Sequence, residues 1–229
     1  AFYSNKTMSA SINENGMITS FDADGYHRTA SEEAKEGNAK ESLLGFRTSF
    51  DPARGLSFGA TAFQANFSHP LLIGGAEVTS GTTMRAGGLD FRYSDRRLTL
   101  FSEFASSTSG GIAKVMGLIY QPMSRLDVAL VARDYPMDFS NIHSFGFRES
   151  NGMTQNEAGV YFGVQLTPAK WLKLSVYYDQ FRFPWRTSSL PLPTSGNDFL
   201  SLTEVDLSKN LDVQVLYRAR SKPQSTHAE

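Results

Sequence analysis

Apolar and polar side chains alternate residue by residue over long segments of this sequence. In residues 171–183, Leu172, Leu174, Val176 and Tyr178 fall on one face of an extended chain, while lysine, serine, tyrosine and aspartate fall on the other. Because successive side chains of a β-strand point to opposite faces, this period of two predicts strands with one apolar and one polar face. The same alternation occurs in residues 89–93, 126–133, 160–166 and 211–218.

Weaker alternation predicts further strands elsewhere in the chain. With these, the sequence contains about twelve strands of roughly 9–13 residues, the length that a tilted strand needs to cross a bilayer. Strands of soluble globular proteins are usually about five or six residues long, so this length favours a transmembrane barrel over a soluble β-protein. The weaker strands are predicted in residues 2–12, 16–28, 42–50, 56–67, 98–105, 112–121 and 199–207.

The connections between the predicted strands alternate between short and long. Strands of outer-membrane barrels are joined by brief turns on the periplasmic side and by large loops on the extracellular side. Soluble sandwiches and lipocalin-type barrels have no reason to separate their loops by length in this way. Short turns are predicted at residues 13–16, 51–55, 94–97, 121–125, 167–170 and 208–210, long connections at 29–41, 68–84, 134–156 and 183–198, and an intermediate one at 106–111.

We therefore predict an all-β fold, an antiparallel transmembrane β-barrel with about twelve strands in this chain. Residues 1–229 form a single barrel domain or an internal section of a larger barrel. Residues 134–156 and 183–198 are its long extracellular loops. Their length, with the aromatic residues of the first and the prolines of the second, predicts that they constrict the pore or contact another protein.

Composition excludes several other classes of protein. The sequence has no cysteine, which rules out disulfides, thiolate metal sites and cysteine nucleophiles. Its 22 basic and 23 acidic residues are dispersed along the chain, whereas a phosphate-binding surface needs clustered lysine and arginine. No segment approaches the roughly 18 consecutive apolar residues of a membrane-spanning helix.

Alternation also assigns side chains to the two faces of the predicted wall, since charged groups inside a membrane span avoid lipid by facing the lumen. The lumen-lining candidates are Arg47, Asp90, Arg92, Glu103, Asp127, Arg133, Lys173, Asp179, Asp212 and Arg218. The lipid-facing candidates are Leu126, Val128, Leu130, Val160, Phe162, Val164, Leu172, Leu174, Val176, Val213 and Val215. The aromatic residues predicted at the two membrane interfaces are Tyr93, Tyr120, Tyr135, Trp171, Phe183 and Trp185.

Opposite charges on neighbouring predicted strands, such as Arg92 and Glu103, have two interpretations. Cross-strand pairs of this kind commonly brace a sheet. Charges that line a pore also set its ion selectivity. Both interpretations stay open at the level of sequence.

The histidines raise the hypothesis of an outer-membrane hydrolase. His27, His69 and His143 fall on the side with long connections, where a histidine can act as general base beside serine or aspartate. However, no G-x-S-x-G motif occurs. Residues 22–25 begin like a calcium loop, but the aromatic and basic residues that follow are poor ligands for Ca²⁺. We therefore expect no enzyme activity, no cofactor and no metal.

Short aromatic and charged motifs occur near the strand ends: GYHRT at 25–29, GLDFRY at 88–93, FSE at 101–103, RDY at 133–135, SFGFRE at 144–149, NEAGVY at 156–161 and DQFRFPW at 179–185. Together they resemble the barrel region of large envelope proteins from Bacteroidota and Chlorobi, which often carry an N-terminal helix-hairpin-helix module similar to the competence protein ComEA. The resemblance spans most of the chain. It implies the outer membrane of a Gram-negative bacterium and a barrel longer than this chain at both ends. A nucleic-acid partner is implied only through the helix-hairpin-helix module, which this sequence lacks.

Two functional hypotheses follow from these observations. The first is a transport or translocation channel of the outer membrane. The second is a structural or assembly subunit that anchors a larger envelope complex. The expected partners are outer-membrane lipid and, through the long loops, other envelope proteins.

Overall fold

Twelve β-strands and one short helix occur in the computed structural model, which describes residues 1–22, 26, 28–72, 81–149, 153–186 and 192–222. The helix, α1 (Ala30–Glu33), begins at Thr29, which forms a capping box with Glu32. The strands are β1 (Phe2–Ile12), β2 (Ile18–Asp22), β3 (Ala39–Ala53), β4 (Leu56–Phe67), β5 (Thr83–Ser94), β6 (Leu98–Ser107), β7 (Gly110–Met123), β8 (Leu126–Tyr135), β9 (Glu157–Ala169), β10 (Leu172–Phe183), β11 (Thr194–Ser208) and β12 (Leu211–Ser221). The chain is therefore all-β, as predicted.

All twelve strands belong to one antiparallel sheet, in the order β12-β11-β10-β9-β8-β7-β6-β5-β4-β3-β1-β2. From β3 to β12, each strand pairs with the next one along the chain, as the predicted hairpins require. These ten strands contain between 10 and 15 residues. The prediction of long antiparallel strands is confirmed for this part of the sheet.

The first hairpin differs from the prediction. Residues 2–8 of β1 pair with β3, and residues 9–12 pair with β2, so β1 lies between these two strands. Of the predicted strand at 16–28, Ile18–Asp22 form β2, residues 26 and 28 are not in a strand, and residues 23–25 and 27 lie outside the described residues.

Asn13 fixes the turn of this first hairpin. Its side-chain oxygen accepts hydrogen bonds from the backbone N–H of Asn15 at 3.0 Å and of Met17 at 2.9 Å. Gly16 has a φ of 74°, which a side chain would oppose. The turn lies where β3 begins, at the same edge as the long connections, so the predicted alternation of connections does not hold here.

Apart from the turn at 108–109, the remaining connections separate by length between the two ends of the strands. We call these ends the short-turn edge and the long-loop edge. The short-turn edge consists of residues 54–55, 95–97, 124–125, 170–171 and 209–210. The long-loop edge consists of the described residues of the connections 13–17, 23–38, 68–82, 108–109, 136–156 and 184–193. The connection predicted as intermediate at 106–111 is a two-residue turn, because both flanking strands extend further than their alternation indicates.

Asp95 closes the turn between β5 and β6. Its Oδ1 accepts hydrogen bonds from the backbone N–H of Arg97 and of Leu98, both at 2.8 Å. These bonds stabilise the charged carboxylate, so they hold the pKa of Asp95 below its usual value. The side chain thereby fixes a reversal of only three residues at the short-turn edge.

The register divides the side chains between two faces, since directly opposed residues of paired strands share a face. We call the face that carries Arg133 the inner face and the opposite one the outer face. Large apolar side chains are exposed on the outer face of most strands from β3 to β12. They are Leu44, Phe46, Phe50, Phe58, Leu89, Phe104, Met116, Tyr120, Leu130, Val160, Phe162, Val176, Tyr178, Val213, Val215 and Tyr217.

Two edges of the sheet have no neighbouring strand among the described residues. β12 pairs only with β11, and every one of its residues is exposed. Residues 2–8 of β1 pair only with β3. In the part of the chain that the structure describes, no ladder joins β12 to β1. Both strands therefore present a row of unpaired backbone groups.

A small apolar core lies on the inner face at the long-loop edge. Residues of β1 and β3 to β5 pack there against Ile18 of β2 and Leu71 of the following connection. Backbone hydrogen bonds between Ile18 and the segment at Pro70 and Leu72, both of 2.8 Å, hold that connection in place. The buried members of this core are Ala10, Ile18, Ala39, Ala65, Phe67, Leu71 and Met84.

Candidate functional site

The predicted charged residues all lie on one face of the sheet. Asp90 is opposed to Glu103, for example, and the partner of Arg133 in the next strand is Gly159. Following the register from strand to strand places Arg47, Asp90, Arg92, Glu103, Asp127, Arg133, Lys173, Asp179, Asp212 and Arg218 on the inner face. That this face lines a lumen stays a prediction.

The predicted lipid-facing residues share the opposite face. Val128 is opposed to Val164, and Val164 to Val176, across three adjacent strands. The same register places Leu126, Leu130, Val160, Phe162, Leu172, Leu174, Val213 and Val215 on the outer face. Their contact with lipid stays a prediction.

Two of the six predicted interfacial aromatics are wrongly placed. Tyr135 and Phe183 are 3% and 8% exposed, and both lie on the inner face. Each is an even number of residues from an inner-face charge, Arg133 or Asp179, so the strand period turns them inward. Tyr93 and Tyr120 lie on the outer face near the short-turn edge. Trp171 is exposed at that edge, and Trp185 is exposed at the long-loop edge.

The connection between β8 and β9 lies against the inner face. We call residues 136–156 the strap; its residues 150–152 lie outside the described structure. Near its start, Phe139 is 1% exposed and packs against Ala113 and Tyr135. The backbone N–H of Ser140 donates a hydrogen bond of 2.9 Å to Ser109 Oγ in the turn between β6 and β7. The strap therefore begins by turning onto the sheet rather than out into solvent.

The middle of the strap reaches the far side of the sheet. His143 Nε2 lies 2.5 Å from Glu41 Oε1 on β3, across 102 residues of sequence. The other oxygen of Glu41 is 2.9 Å from Lys6 Nζ on β1. Ile142 packs against the apolar core described above. Glu41 is only 1% exposed, and burying a carboxylate without partners costs free energy. The contacts with His143 and Lys6 together offset that cost.

The end of the strap is attached to β9 and β12. The carboxylate of Glu157 accepts two hydrogen bonds, of 2.9 and 3.0 Å, from the backbone N–H of Glu149. The Glu149 carboxylate forms a salt bridge with Arg220 of β12, and Lys222 Nζ donates to the Glu149 carbonyl oxygen at 2.5 Å. One segment thus contacts β3, β9 and β12 on the same face, which requires the sheet to curve around it.

Arg133 is the centre of a buried ionic cluster on the inner face. Its Nε donates to Glu157 Oε1 at 2.7 Å, and its two terminal nitrogens donate to the carboxylate of Asp179 at 2.9 and 3.0 Å. The side chains are 0% exposed for Arg133 and Glu157 and 3% for Asp179. The Phe147 ring of the strap lies 5.0 Å from the guanidinium. The cluster therefore joins β8, β9 and β10 to the strap.

Glycines make room for two such bridges across an intervening strand. A Cβ at Gly159 of β9 would lie 2.7 Å from Cζ of Arg133, which extends over this residue to Asp179. A Cβ at Gly59 of β4 would lie 2.5 Å from the guanidinium of Arg47, which binds Asp90 in the same way. At both positions a guanidinium occupies the space that a side chain would take, and only the one at Gly159 is buried.

Substituting Gly159→Ala is expected to destabilise the protein by about 1–3 kcal/mol, since the methyl group would push a buried guanidinium away from its carboxylates. Gly87→Ala is the matched control, because Gly87 is also in a strand but its Cβ would meet no atom closer than 3.6 Å. Urea unfolding of the protein in detergent micelles measures both changes. Equal unfolding midpoints for the two variants would show that Arg133 can be displaced at no cost.

A second ionic cluster lies between β10, β11 and β12. Asp198 is 1% exposed and accepts a hydrogen bond of 2.9 Å from Arg218 Nε. Arg220 Nε lies 3.9 Å from the same carboxylate, and Tyr177 Oη donates to it at 3.4 Å. Arg220 also binds Glu149, so this cluster is linked through the strap to the one around Arg133.

The histidines do not form a hydrolytic site among the described residues. His27 lies outside them. His69 Nδ1 is 3.0 Å from Ser68 Oγ, but no carboxylate among the described side chains contacts His69. His143 contacts a carboxylate, Glu41, which is already bound by Lys6. Over the same described ranges, no group of three His, Asp or Glu side chains is placed to hold a metal ion.

A cavity of about 550 Å³ separates part of the strap from the sheet. The inner faces of β4 to β8 line one side of it, and strap residues such as His143, Phe145 and Phe147 line the other. The predicted residues Asp90, Arg92 and Glu103 come together at this cavity. Glu41, Glu157 and Asp198, which organise the buried clusters, were not predicted as functional residues.

The similarity of this chain to known proteins is structural. No protein family matches the sequence, and no curated protein matches it. Over the described residues, no helix is long and apolar enough to cross a membrane. A solved structure described as "KdgM porin" is similar to this chain with 12% sequence identity and a TM-score of 0.34, covering 80% of this chain and 84% of that one.

Proposed function

We propose that this chain forms the wall of an outer-membrane β-barrel of a Gram-negative bacterium, through which small solutes pass. The observation that supports this most directly is the distribution of side chains. The outer face exposes leucine, valine and phenylalanine, and the inner face carries the ten predicted lumen charges and the strap. Charges on the outer face, such as Lys114 and Asp134, lie toward the long-loop edge. A sheet in water would hide such an apolar face, whereas a sheet in a bilayer exposes it to lipid.

The two unpaired edges bear on how this wall is closed. In hydrocarbon, each unpaired backbone N–H or C=O costs several kcal/mol, so an open sheet edge does not occur there. β12 and residues 2–8 of β1 are such edges among the described residues. We therefore infer that further β-strands pair with both edges and that these twelve strands are a section of a larger barrel.

The strap narrows the proposed pathway. It lies across the inner face at the long-loop edge, and three separate attachments hold it there, at Ser109, Glu41 and Arg220. A segment attached to opposite sides of a curved sheet restricts passage along the inner face. We infer a channel whose size limit is set by the strap.

A structural or assembly subunit remains the second candidate. The linked ionic clusters and the strap brace the inner face from β3 to β12, as expected of a rigid anchor. Planar-bilayer recordings of the purified, folded protein distinguish the two candidates. A channel conducts ions in steps, whereas a plugged anchor leaves the bilayer silent.

The proposed lipid contact can be tested by labelling single cysteines, because the protein has no cysteine of its own. Position 130 lies on the outer face of β8 and position 131 on its inner face, so Leu130→Cys and Val131→Cys form a matched pair. In liposomes that contain brominated lipid, a bimane label at position 130 is expected to be quenched strongly and one at position 131 weakly. The pair Val176→Cys and Ser175→Cys repeats the comparison on β10. Equal quenching within both pairs would contradict a membrane-spanning sheet.

A further inference from the structure

Two opposite charges line the cavity beneath the strap without a direct partner. Arg92 of β5 and Glu103 of β6 are both exposed, and neither forms a salt bridge or a hydrogen bond with another described residue. The Glu103 carboxylate acts on Arg47 and Tyr135 only through longer-range electrostatics. By contrast, Asp90 lines the same cavity and is bound by both terminal nitrogens of Arg47, at 2.7 and 2.9 Å. In the described structure, the cavity therefore offers one cation and one anion that have no direct salt-bridge partner.

Arg92 and Glu103 are close enough to each other to contact one small molecule. Arg92 is opposed to Phe101 and Glu103 to Asp90, so Arg92 and Glu103 are diagonal neighbours on adjacent strands. Diagonal neighbours are about 7–8 Å apart at the backbone, within reach of long side chains. Such a pair can bind the two charged ends of one small molecule.

Aromatic rings surround these charges. Phe101 lies on the sheet side, where its ring packs against Gly117 of β7 at a position that a Cβ would fill. Phe145 lies on the strap side and is 97% exposed. A phenylalanine ring exposed to this extent gains free energy when another ring stacks on it. The cavity volume of about 550 Å³ is in the range of roughly 300–1,000 Å³ found for small-molecule sites.

We propose that this cavity binds small zwitterions with an aromatic ring, the chemical class of free aromatic amino acids and their short peptides. This inference rests on the proposed function, since it names a solute class for the pathway under the strap. Arg92 binds the carboxylate and Glu103 the ammonium group, while the ring packs between Phe101 and Phe145. Charged hydrogen bonds of this kind fix the orientation of the solute, and ring contacts select its side chain.

The test compares probes that differ in charge or ring. Phenylalanine is the zwitterion, phenylalaninamide the cation, N-acetylphenylalanine the anion, and glycine the zwitterion without a ring. Binding to the full chain in detergent micelles is measured by isothermal titration calorimetry, with empty micelles as the blank. Since each singly charged probe lacks one of the two charged hydrogen bonds, phenylalanine is expected to bind roughly tenfold or more tightly than either of them.

Substitutions test which residues cause the preference for the zwitterion. Arg92→Gln and Glu103→Gln should each remove the preference for the zwitterion, and the double exchange Arg92→Glu with Glu103→Arg should restore it because the solute can bind reversed. Phe145→Ala should reduce the advantage of phenylalanine over glycine. Asp127→Asn is the matched control, because Asp127 lies on the same face but outside the cavity.

The outcomes separate this inference from the proposed function. Equal affinity for the four probes, or unchanged preference in Arg92→Gln, overturns the zwitterion site. Binding in micelles does not require a channel or a bilayer. A protein that shows the expected lipid quenching but does not discriminate the probes thus contradicts this inference alone. A protein that discriminates the probes but shows no quenching contradicts the membrane wall alone.

Discussion

Substituting Arg133→Gln is expected to lower the free energy of unfolding by about 3–5 kcal/mol, since removing one partner of a buried ion pair leaves uncompensated charge behind. Arg133 forms salt bridges with both Glu157 and Asp179. All three side chains are at most 3% exposed. Urea unfolding in micelles, followed by the mobility of unheated protein on gels, measures the loss.

The exposed ion pair between Arg47 and Asp90 provides the control for the buried cluster of Arg133. Arg47 binds Asp90 with the same two-pronged geometry across Gly59, but these side chains are 51% and 31% exposed. Arg47→Gln is therefore expected to cost about 0–1 kcal/mol, as for surface pairs. Similar losses in the two variants would show that burial does not determine the contribution of Arg133.

A triple variant shows whether unpaired carboxylates or the lost geometry of the bridge causes the loss of stability. If unpaired carboxylates cause the loss, adding Glu157→Gln and Asp179→Asn to Arg133→Gln should recover most of the stability, because no buried charge then remains in the cluster. If the triple variant is as unstable as Arg133→Gln alone, the geometry of the bridge rather than its charge is what stabilises the sheet.

The assignment of residues to faces could be predicted from the sequence because it is a local property. A strand of period two fixes which side chains share a face once one of them is known. Arg133 and Asp179 therefore share the inner face, and Val128 and Val176 the outer one. The same rule, extended by two or four residues, would have turned Tyr135 and Phe183 inward and corrected their assignment.

Contacts between distant segments could not be predicted in this way. Nothing near His143 in the sequence indicates that it meets Glu41, 102 residues away. The position of β1 between β2 and β3 is likewise set by contacts between distant segments. The tight Asn-Gly turn does not determine on which side of β1 the strand β3 pairs. Glu157 was missed because it precedes residues 160–166, whose alternation assigned the side chains of this strand to faces, whereas β9 begins at Glu157 itself.

Glycines inside strands can indicate, already in the sequence, where an arginine bridges to a carboxylate across a strand. Gly59 and Gly159 interrupt otherwise regular strands; Gly159 is directly opposed to Arg133, and Gly59 is a diagonal neighbour of Arg47 on the preceding strand. A glycine in a strand interior weakens the strand unless another group approaches closely. An inward glycine flanked by arginine on one strand and aspartate on the next therefore predicts a bridge across it.

Releasing the strap is expected to increase solute passage several-fold if the strap sets the size limit. His143→Ala leaves Glu41 buried with Lys6 as its remaining described partner, which costs the seated conformation about 1–3 kcal/mol. Each 1.4 kcal/mol is about a tenfold change in population. Adding Ile142→Ser removes the apolar contact with the core and should shift the equilibrium further toward the released strap.

Single-channel conductance and liposome swelling with sugars of increasing size measure this effect. His69→Ala is the matched control, because His69 lies at the same edge but contacts only Ser68 among the described side chains. The release variants should conduct more and admit larger sugars, while His69→Ala should behave as the unaltered protein. Unchanged conductance in a folded His143→Ala, Ile142→Ser variant would mean that the strap does not limit the pathway. The three attachments would then serve to brace the sheet, which is the arrangement expected of a structural subunit rather than a channel.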